Sequence, residues 1–320
     1  MGKPKLVIGS SGQVAEGLRE EFRRRGIPHW ITSSKSLPSD AHAAAVKRLD
    51  LSDPDSVRAV FHEFELLYPG KGAEVYLPGA WTWVDGCEAD PVKCRRINAQ
   101  GPLLVAEECA RRAWKLAFFS TEYVFGGAEY EGGAVGPFSE DDPPFPTSEY
   151  GKSKLEAEKL ILSLSPSFRP LVIRTTMVFS WAPQGMNFFM QLFRHLEAAA
   201  AGRMEKKFPV PVDQISTPTY APGLSRATTE LMEKGVEGVV NVAGPDLVSR
   251  REFVERIIRR FGFDAGLIEA AFDYRKTADL SQTARRPLTA GLKIDRMRGF
   301  GLEAWSLDRA FGDILKRRGG

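Results

Sequence analysis

Short apolar segments alternate with helix-forming segments from residue 5 to residue 176, and this alternation limits the possible folds more than any other feature. Strands are predicted at 5–8, 28–32, 46–49, 73–77, 115–119 and 170–173. Helices are predicted between them, at 13–25, 53–67, 91–112 and 149–164. Alternation at this spacing is typical of right-handed βαβ units, whose strands form one parallel sheet covered on both faces. We therefore predict an α/β fold with a doubly wound parallel sheet of about seven strands.

The second half of the chain is less regular. Helices are predicted at 186–201, 221–234, 249–261 and 307–317, with a strand at 238–242 and a proline-containing extended stretch at 208–220. Residues 126–149 stand out, because these 24 residues hold five glycines, four prolines and six acids between a strand and a helix. Loops of this length without periodicity are usually functional or disordered.

Charge and hydropathy exclude several classes of protein. Lysine and arginine total 44 against 41 acidic residues, a formal net charge of +3. A nucleic-acid-binding protein would concentrate far more positive charge on one face. No apolar run approaches the length of a membrane span, and residues 1–5 do not resemble a signal sequence. We expect a cytoplasmic protein that binds neither nucleic acid nor membrane.

Cysteine and histidine spacing argues against a metal site or a disulfide framework. Cys87, Cys94 and Cys109 include no Cys-x-x-Cys pair, and the four histidines show none of the short spacings typical of zinc ligands. We predict buried or free thiols in a reducing compartment, and no metal.

A glycine-rich turn follows the first strand and opens the first helix. Gly9 and Gly12 stand three residues apart, and Ala15 follows after the same interval. Glycines here allow a tight turn and the approach of a pyrophosphate to the amides of the helix N-terminus. The turn predicts a Rossmann-type dinucleotide site, whose contacts on this segment would be Gly9, Ser11, Gly12, Gln13 and Val14.

The end of the second strand bears on the choice of cofactor. NAD-binding units usually carry an acid there for the ribose 2′-hydroxyl, whereas this chain has Ser33, Ser34 and Lys35. Hydroxyls and a lysine can donate to a 2′-phosphate, which a carboxylate would repel. The segment favours NADPH over NADH, although it would also be compatible with an ordinary polar loop.

The loss of alternation after residue 176 suggests two domains. We predict that 1–176 form the dinucleotide-binding domain, with 213–243 packing back on it. Residues 177–212 and 244–320 would form a smaller C-terminal substrate-binding domain.

Two further segments carry groups suited to proton transfer. Tyr150 and Lys154 are four residues apart at the start of a predicted helix, so they share one face. An ammonium near a phenol lowers the pKa of the phenol and makes it a usable acid near neutrality. Ser120 and Thr121 end a buried strand, where parallel sheets bind ligands. Taken by itself, the Tyr150 and Lys154 pair could simply be part of a solvated helix face. Ser120 and Thr121 could simply cap the end of the strand.

The order and spacing of these segments resemble a known family over nearly the whole chain. The matching stretches are the Gly9 turn, 50–53, 79–85, 97–99, 120–126, 150–154, 174–176, 213–219, 241–244 and 285–287. The chain resembles the extended short-chain dehydrogenases/reductases, and among them the dTDP-4-dehydrorhamnose reductase family. The resemblance implies NADPH-dependent reduction of a nucleotide-linked 4-keto-(6-deoxy) sugar, with a homodimer as one possible assembly.

The resemblance also implies roles for individual residues. Thr121, Tyr150 and Lys154 would be the catalytic residues, with Tyr150 as proton donor and Lys154 on the ribose hydroxyls. The remaining cofactor contacts would be Asp50, Leu51, Gly79, Ala80, Trp81, Thr82 and Asn98. The substrate contacts would be Ser120, Glu122, Tyr123, Met177, Asn187 and Arg286. Residues 126–149 would lie over the active site.

Departures from the family pattern leave other activities open. Met177 stands where the family has an aromatic residue, and Glu122 stands where it has an aspartate. A sugar-nucleotide dehydratase needs two acids after the threonine, but Glu122 is followed by Tyr123. A sugar-nucleotide epimerase needs no such pair and remains an alternative. A different alternative is a non-catalytic NADP-binding regulatory subunit, similar to the β subunit of methionine adenosyltransferase.

Overall fold

The computed structural model describes residues 3–9, 12–34 and 46–319. Its strands are β1 (Lys5–Ile8), β2 (His29–Ser33), β3 (Val46–Arg48), β4 (Glu74–Leu77), β5 (Lys115–Thr121), β6 (Leu171–Thr175), β7 (Val178–Phe179), β8 (Phe208–Pro211), β9 (Ile215–Ser216), β10 (Thr219–Tyr220), β11 (Gly238–Asn241), β12 (Val248–Ser249) and β13 (Phe272–Arg275). Its α-helices are α1 (Gln13–Arg24), α2 (Pro54–Leu67), α3 (Val84–Ala89), α4 (Pro91–Arg95), α5 (Gly101–Arg111), α6 (Glu149–Leu162), α7 (Phe188–Ala200), α8 (Ala221–Glu233), α9 (Arg250–Phe261), α10 (Leu267–Ala270), α11 (Asp295–Gly299) and α12 (Leu307–Gly319).

Seven strands form the central sheet, in the order β11-β6-β5-β4-β1-β2-β3. Every neighbouring pair in it is parallel. The strand order reverses between β1 and β4, and the crevice at such a switch point is where open α/β sheets bind ligands. The predicted Rossmann-type parallel sheet is confirmed.

Two apolar layers cover the sheet, which explains why its strands read as continuous apolar runs. On one face Phe22 of α1 packs edge-on against Tyr76 of β4, with ring centroids 5.1 Å apart. On the other face Phe64 of α2 packs against Trp30 of β2 and against Trp114. All five side chains are buried, so both sheet faces are closed to water.

A third apolar cluster, separate from the two layers on the sheet, contains residues from the beginning and the end of the C-terminal half. Phe179, Phe189, Phe253 and Phe311 are buried and pack ring against ring, with centroids 5.5–6.0 Å apart. They join β7, α7, α9 and α12 into one unit. The predicted domain boundaries stay a prediction. None of the helices in the described ranges is long and apolar enough to cross a membrane.

Most predicted elements end within two residues of the observed ones, but the predicted helix 91–112 is interrupted. A π-helical turn, Arg96–Gln100, separates α4 from α5. Pro102 at the start of α5 lacks the N–H that a continuous α-helix would need. Gly101 lies against Leu51, whose carbonyl oxygen would be 2.5 Å from an added Cβ. The sequence analysis also missed α3 and β13.

The long segment 126–149 is held against a later part of the chain. The Glu129 carboxylate accepts hydrogen bonds from the backbone N–H groups of Leu288 (3.1 Å) and Thr289 (3.0 Å). Phe138 is buried and stacks on Phe125, with centroids 4.6 Å apart. The Glu129 bonds fasten the segment to the stretch that follows Pro287, and the Phe138 ring anchors it beside the end of β5.

Candidate functional site

The turn after β1 is built by two glycines that touch. Gly9 has φ +112°, and a Cβ added to it would lie 2.7 Å from the Cα of Gly79. A Cβ on Gly79 would lie 2.7 Å from the carbonyl oxygen of Ile8. The Gly9 N–H donates to Thr32 Oγ1 (3.3 Å), which joins the turn to β2. The ends of β1 and β4 therefore meet only because neither position carries a side chain.

The N-terminus of α1 is open to a ligand. Gly12 is the N-cap residue, no side chain caps the helix, and nothing lies within 4 Å of a Cβ built on Gly12. The Gln13 side chain donates to the Val178 carbonyl (2.6 Å) and accepts from Ser180 Oγ (3.0 Å), so it joins α1 to β7. Uncapped amides beside such a glycine cradle fit the diphosphate of a dinucleotide. Predicted contact Ser11 lies outside the described residues.

The residues predicted to select the cofactor lie at the ends of β2 and β3. Ser33 is buried at the end of β2, and Ser34 is exposed beside it. Lys35 lies outside the described residues. Asp50 accepts from the backbone N–H and the hydroxyl of Ser52 (2.8 and 2.7 Å), and these bonds hold the pKa of Asp50 below its usual value. Asp50 thus stabilises its own turn.

The placement of Asn98 corrects a prediction. This residue is fully buried, and its Oδ1 accepts from the Trp81 N–H (2.8 Å). Its Nδ2 donates to the Trp81 carbonyl (3.0 Å), the Cys94 sulfur (3.4 Å) and Ser153 Oγ (3.3 Å). Asn98 therefore cannot contact a cofactor directly. It holds the backbone of the 79–82 segment in place, and the π-helical turn before α5 carries it there.

Thr121, Tyr150 and Lys154 come from two neighbouring elements, β5 and α6. Ser148 caps α6 by accepting from the Gly151 N–H (3.2 Å), which puts Tyr150 in the first turn. The Tyr150 ring packs edge-on against Tyr123, with centroids 5.5 Å apart. The Lys154 Nζ lies 4.0 Å from the ring centroid of Phe118 in β5. All three predicted catalytic side chains are buried beside the end of β5.

Burial decides the protonation of this pair. It raises the pKa of Tyr150 well above the usual phenol value, partly offset by a hydrogen bond from the Thr121 side chain. Burial lowers the pKa of Lys154 to about 7. Burial is the largest influence on the pKa of both groups, and the expectation that Lys154 lowers the pKa of Tyr150 stays a prediction. The structure holds a neutral phenol, the form that can donate a proton.

A cleft of about 780 Å³ is lined by Glu122 and Tyr123, the two residues that follow Thr121. Thr121, Tyr150 and Lys154 themselves do not line it. Four predicted substrate contacts line it: Glu122, Tyr123, Met177 and Arg286. Ser120 is buried behind it, and its hydroxyl has no hydrogen-bond partner. The segment 126–149 contributes no residue to the wall of this cleft, and Glu129 bonds it to residues 288 and 289. The expectation that the segment lies over the active site stays a prediction.

Two charged residues of the cleft differ in how they are held. Glu122 is buried, its Oε2 has no partner, and burial raises its pKa to about 7. Arg286 forms an ion pair with Asp85 (2.8 Å) and also donates to the Ala284 carbonyl (2.9 Å). Arg286 thus ties the far wall of the cleft to α3, whereas Oε2 of Glu122 is left without a hydrogen-bond partner.

Asn187, a predicted substrate contact, caps a helix with its side chain. Its Oδ1 accepts from the Met190 N–H (3.0 Å), which makes it the N-cap of α7, and its Nδ2 donates to the Ser180 carbonyl (3.1 Å). It lies in a separate cleft of about 670 Å³, together with Gly12, Gln13 and Thr82. Helix capping thus places Asn187 beside the glycine turn, and its contact with the substrate stays a prediction.

The sequence analysis missed several residues of the main cleft. Arg250 lies in its wall, and Lys206 and Lys207 lie at its edge. No local pattern indicates them, because the substrate-side segments meet only in the folded chain. Within residues 3–9, 12–34 and 46–319, no group of three or more His, Cys, Asp or Glu side chains is arranged to hold a metal ion.

Comparisons with known proteins agree with this geometry. The family model described as RmlD substrate binding domain matches residues 5–317. A probable low-salt glycan biosynthesis reductase of Haloferax volcanii is 29% identical over 296 residues, covering 92% of this chain and 91% of the relative. The dTDP-4-dehydrorhamnose reductase of Mycobacterium tuberculosis is 29% identical over 260 residues, covering 81% and 76%.

A solved structure has the same fold along its whole length. The dTDP-4-dehydrorhamnose reductase of Bacillus anthracis, crystallised with NADP, aligns with a TM-score of 0.79 and 22% identity, covering 99% of this chain and 98% of that one. The sheet order, the glycine turn and the full-length family match lead to one assignment. The chain belongs to the RmlD substrate binding domain family, which confirms its resemblance to the dTDP-4-dehydrorhamnose reductases.

Proposed function

We propose that this chain is an NADPH-dependent reductase of a nucleotide-linked 4-keto sugar and that Tyr150 donates the proton. The observation that carries the proposal is the burial of Thr121, Tyr150 and Lys154 together at the carboxyl end of β5, next to the main cleft. The names of the relatives support the same class of reaction, since those from Mycobacterium tuberculosis and Bacillus anthracis are nucleotide-sugar reductases.

The cofactor would be held along the switch point of the sheet. Gly9, Gly12 and the first amides of α1 suit the diphosphate, and the 79–82 segment, braced by Asn98, suits the neighbouring ribose. Lys154 would donate to the ribose hydroxyls of the nicotinamide end. Ser33 and Ser34 would meet the ribose 2′-phosphate. The bound NADPH supplies the hydride.

The chain's own groups account for the rest of the reaction. Tyr150 starts as a neutral phenol because burial raises its pKa, so it carries the proton that the carbonyl oxygen needs. Thr121 donates a second hydrogen bond to that oxygen as negative charge develops on it. Protonated Lys154 stabilises the resulting phenolate, and the low polarity around the pair strengthens that attraction.

A panel of keto-sugar substrates tests the proposal. The fall in the absorbance of the reduced nicotinamide would be followed with dTDP- and UDP-linked 4-keto-6-deoxyhexoses. Each free sugar would serve as a control. We expect oxidation of NADPH with at least one linked sugar and none with the free sugars. Tight NADPH binding without turnover on the whole panel would instead favour the regulatory-subunit alternative.

Cofactor preference is expected to follow the residues after β2. NADPH should bind more tightly than NADH, and Ser34→Asp should reverse the order, because a carboxylate repels the 2′-phosphate and accepts from a 2′-hydroxyl. Fluorescence titration of both cofactors into parent and variant measures this. Equal or tighter binding of NADH by the parent would contradict the assignment.

The contact between β1 and β4 yields a stability prediction. Gly79→Ala should destabilise the protein by about 1–3 kcal/mol, because the new methyl group would meet the Ile8 carbonyl at 2.7 Å. It should also weaken NADPH binding, since the turn must move. Gly299→Ala is the matched control, because nothing lies within 4 Å of its added Cβ. Urea unfolding compares the two, and equal stabilities would show that the turn is not as tight as described.

The predicted cytoplasmic location, the homodimer and the domain boundaries after residues 176, 212 and 243 belong to this proposal. Size-exclusion chromatography with light scattering tests the dimer. Limited proteolysis tests the boundaries, and cleavage inside β5 or β6 would argue against them.

A further inference from the structure

Cys87 of α3 and Cys94 of α4 are both buried, and their sulfurs meet at one side chain. The Asn98 Nδ2 lies 3.9 Å from the Cys87 sulfur and 3.4 Å from the Cys94 sulfur. In the neutral pair, Cys87 donates to the Trp81 carbonyl (3.5 Å) and Cys94 donates to Ser153 Oγ (3.4 Å). The two thiols are therefore neighbours in one hydrogen-bond network.

This network favours loss of the proton from one of the thiols. A Cys94 thiolate would accept a hydrogen bond from the Cys87 thiol, and this bond is the largest influence on the pKa of each group. It lowers the pKa of Cys94 and raises that of Cys87. Bonds from Ser153 and Asn98 lower the pKa of Cys94 further, although burial opposes them. One sulfur is thus a nucleophile beside a thiol that keeps its proton, as in a reactive cysteine and its resolving partner.

The pair supports two parts of the proposed site. Cys87, Cys94 and Tyr150 belong to one apolar cluster. The Ser153 hydroxyl, which accepts from Cys94, itself donates to the Tyr150 carbonyl (2.8 Å). The Trp81 carbonyl, which accepts from Cys87, lies in the segment proposed to meet the cofactor ribose. Both the tyrosine and the cofactor segment are therefore held by hydrogen bonds that need the S–H groups.

Cys109 is equally buried but differently placed. It belongs to the apolar layer on one face of the sheet, apart from the other two cysteines, and burial raises its pKa well above the usual thiol value. In contrast, α3 and α4 are short helices of six and five residues. Short helices open at a lower free energy than the packed layer of a sheet. A small oxidant should therefore reach Cys87 and Cys94 before it reaches Cys109.

We propose that Cys87 and Cys94 form a modification site at which hydrogen peroxide produces a reversible disulfide. In the first step the Cys94 thiolate attacks one peroxide oxygen and the O–O bond breaks. The hydroxide that leaves takes up the proton lost by Cys94, and Cys94 becomes a sulfenic acid. The Cys87 sulfur then attacks the Cys94 sulfur, the S–O bond breaks, and the oxygen leaves with the Cys87 proton as a second water. The two thiols lose two electrons, which reduce the peroxide to water.

The disulfide would alter the site because it has no S–H group. The bonds to the Trp81 carbonyl and to Ser153 Oγ would be lost, and the sulfurs would move to about 2 Å from each other. Loss of one bond that braces the cofactor segment should weaken NADPH binding about 2–10-fold. Displacement of Tyr150 should lower turnover by up to about 100-fold. The effect on turnover rests on the proposed function, whereas the thiol chemistry does not.

Peroxide treatment of the reduced, full-length protein tests the proposal. After removal of the peroxide, the chain would be unfolded, its free thiols alkylated and its peptides identified by mass spectrometry. We expect peptides linked through Cys87 and Cys94, the loss of two alkylatable thiols, and an alkylated Cys109. Dithiothreitol should restore all three thiols. NADPH titration and keto-sugar turnover should both fall on treatment and both recover with dithiothreitol.

Cysteine variants separate the disulfide from general oxidative damage. Cys87→Ala and Cys94→Ala each leave one thiol of the pair, so neither should give the linked peptides. In Cys87→Ala the sulfenic acid of Cys94 has no partner and should be labelled by dimedone. Cys109→Ala is the matched control, because it keeps the pair. It should form the disulfide and lose NADPH affinity as the parent does.

The parent protein alone can overturn the proposal, whether or not the variants fold. Retention of all three alkylatable thiols, or loss of Cys109 as fast as the pair, would do so. A disulfide that left NADPH affinity unchanged would also overturn it. A dimedone label absent from Cys94 in Cys87→Ala would contradict the role of Cys94 as the attacking thiol.

Failure of the proposed function can be told apart from failure of this inference. If the untreated protein reduced no keto-sugar, the proposed function would be wrong, and the thiol and NADPH measurements would still decide the inference. If the untreated protein bound no NADPH, both would be wrong, because the disulfide would have no cofactor site to act on.

Discussion

Replacing Tyr150 with phenylalanine should reduce turnover of the keto-sugar by about 10²–10⁴-fold, the usual contribution of a positioned general acid. The phenyl ring should keep its edge-on contact with Tyr123, so the fold and NADPH affinity should be nearly unchanged. The loss should appear in kcat and in kcat/KM alike, because the deleted proton transfer occurs only in the transition state. Steady-state kinetics and NADPH titration measure the two effects separately.

Tyr68→Phe is the matched control for this variant. Tyr68 follows α2, packs against Phe64 and does not line the main cleft, so the variant loses the same hydroxyl outside the proposed site. It should retain parental turnover. If Tyr150→Phe also reduced the sugar at the parental rate, the proton would have to come from another group, and Glu122, with its raised pKa of about 7, would be the next to test.

The fold could be predicted because its determinants are local. The strands of the central sheet are covered on both faces and therefore read as apolar runs, and Gly9 and Gly12 mark the turn at which β1 passes into α1. The helix break before α5 was harder to foresee. Pro102 is visible in the sequence, but proline is also common in a first helical turn, so it does not reveal the π-helical turn Arg96–Gln100 before it.

Site residues could be predicted where a single segment carries the pattern. They were missed where segments distant in the sequence meet in the fold. Thr121 ends β5 and Tyr150 lies in the first turn of α6, so the positions of both follow from the alternation of strands and helices. The family resemblance implied ligand contacts for Asn98 and Asn187, yet the side chain of Asn98 braces the Trp81 backbone and that of Asn187 caps α7. Arg250 enters the cleft from an element 73 residues beyond Met177, and no local pattern encodes that contact.

Replacing Lys154 with methionine should separate catalysis from stability. The lysine is almost fully buried with its Nζ over the Phe118 ring, and burial lowers its pKa to about 7. Methionine fills a similar volume without a charge. NADPH binding should weaken about 10–100-fold through loss of charge-assisted bonds to the ribose, and turnover should fall further because the phenolate of Tyr150 loses its stabilising cation. Lys159→Met, an exposed change on the same helix, should alter neither.

The stability difference between the Lys154→Met variant and its parent should depend on pH with a definite sign. The folded parent has a Lys154 pKa of about 7, whereas the unfolded chain has the ordinary value of about 10.4. Between those values the unfolded state binds more protons, so the contribution of Lys154 to the free energy of unfolding rises with pH. Below pH 7 the parent bears the whole cost of burying the ammonium, and the variant should be the more stable. Its advantage should shrink as pH rises from about 7 to 10, which urea unfolding across that range measures. An advantage that stayed constant or grew with pH would mean that the amine is not desolvated as the structure indicates.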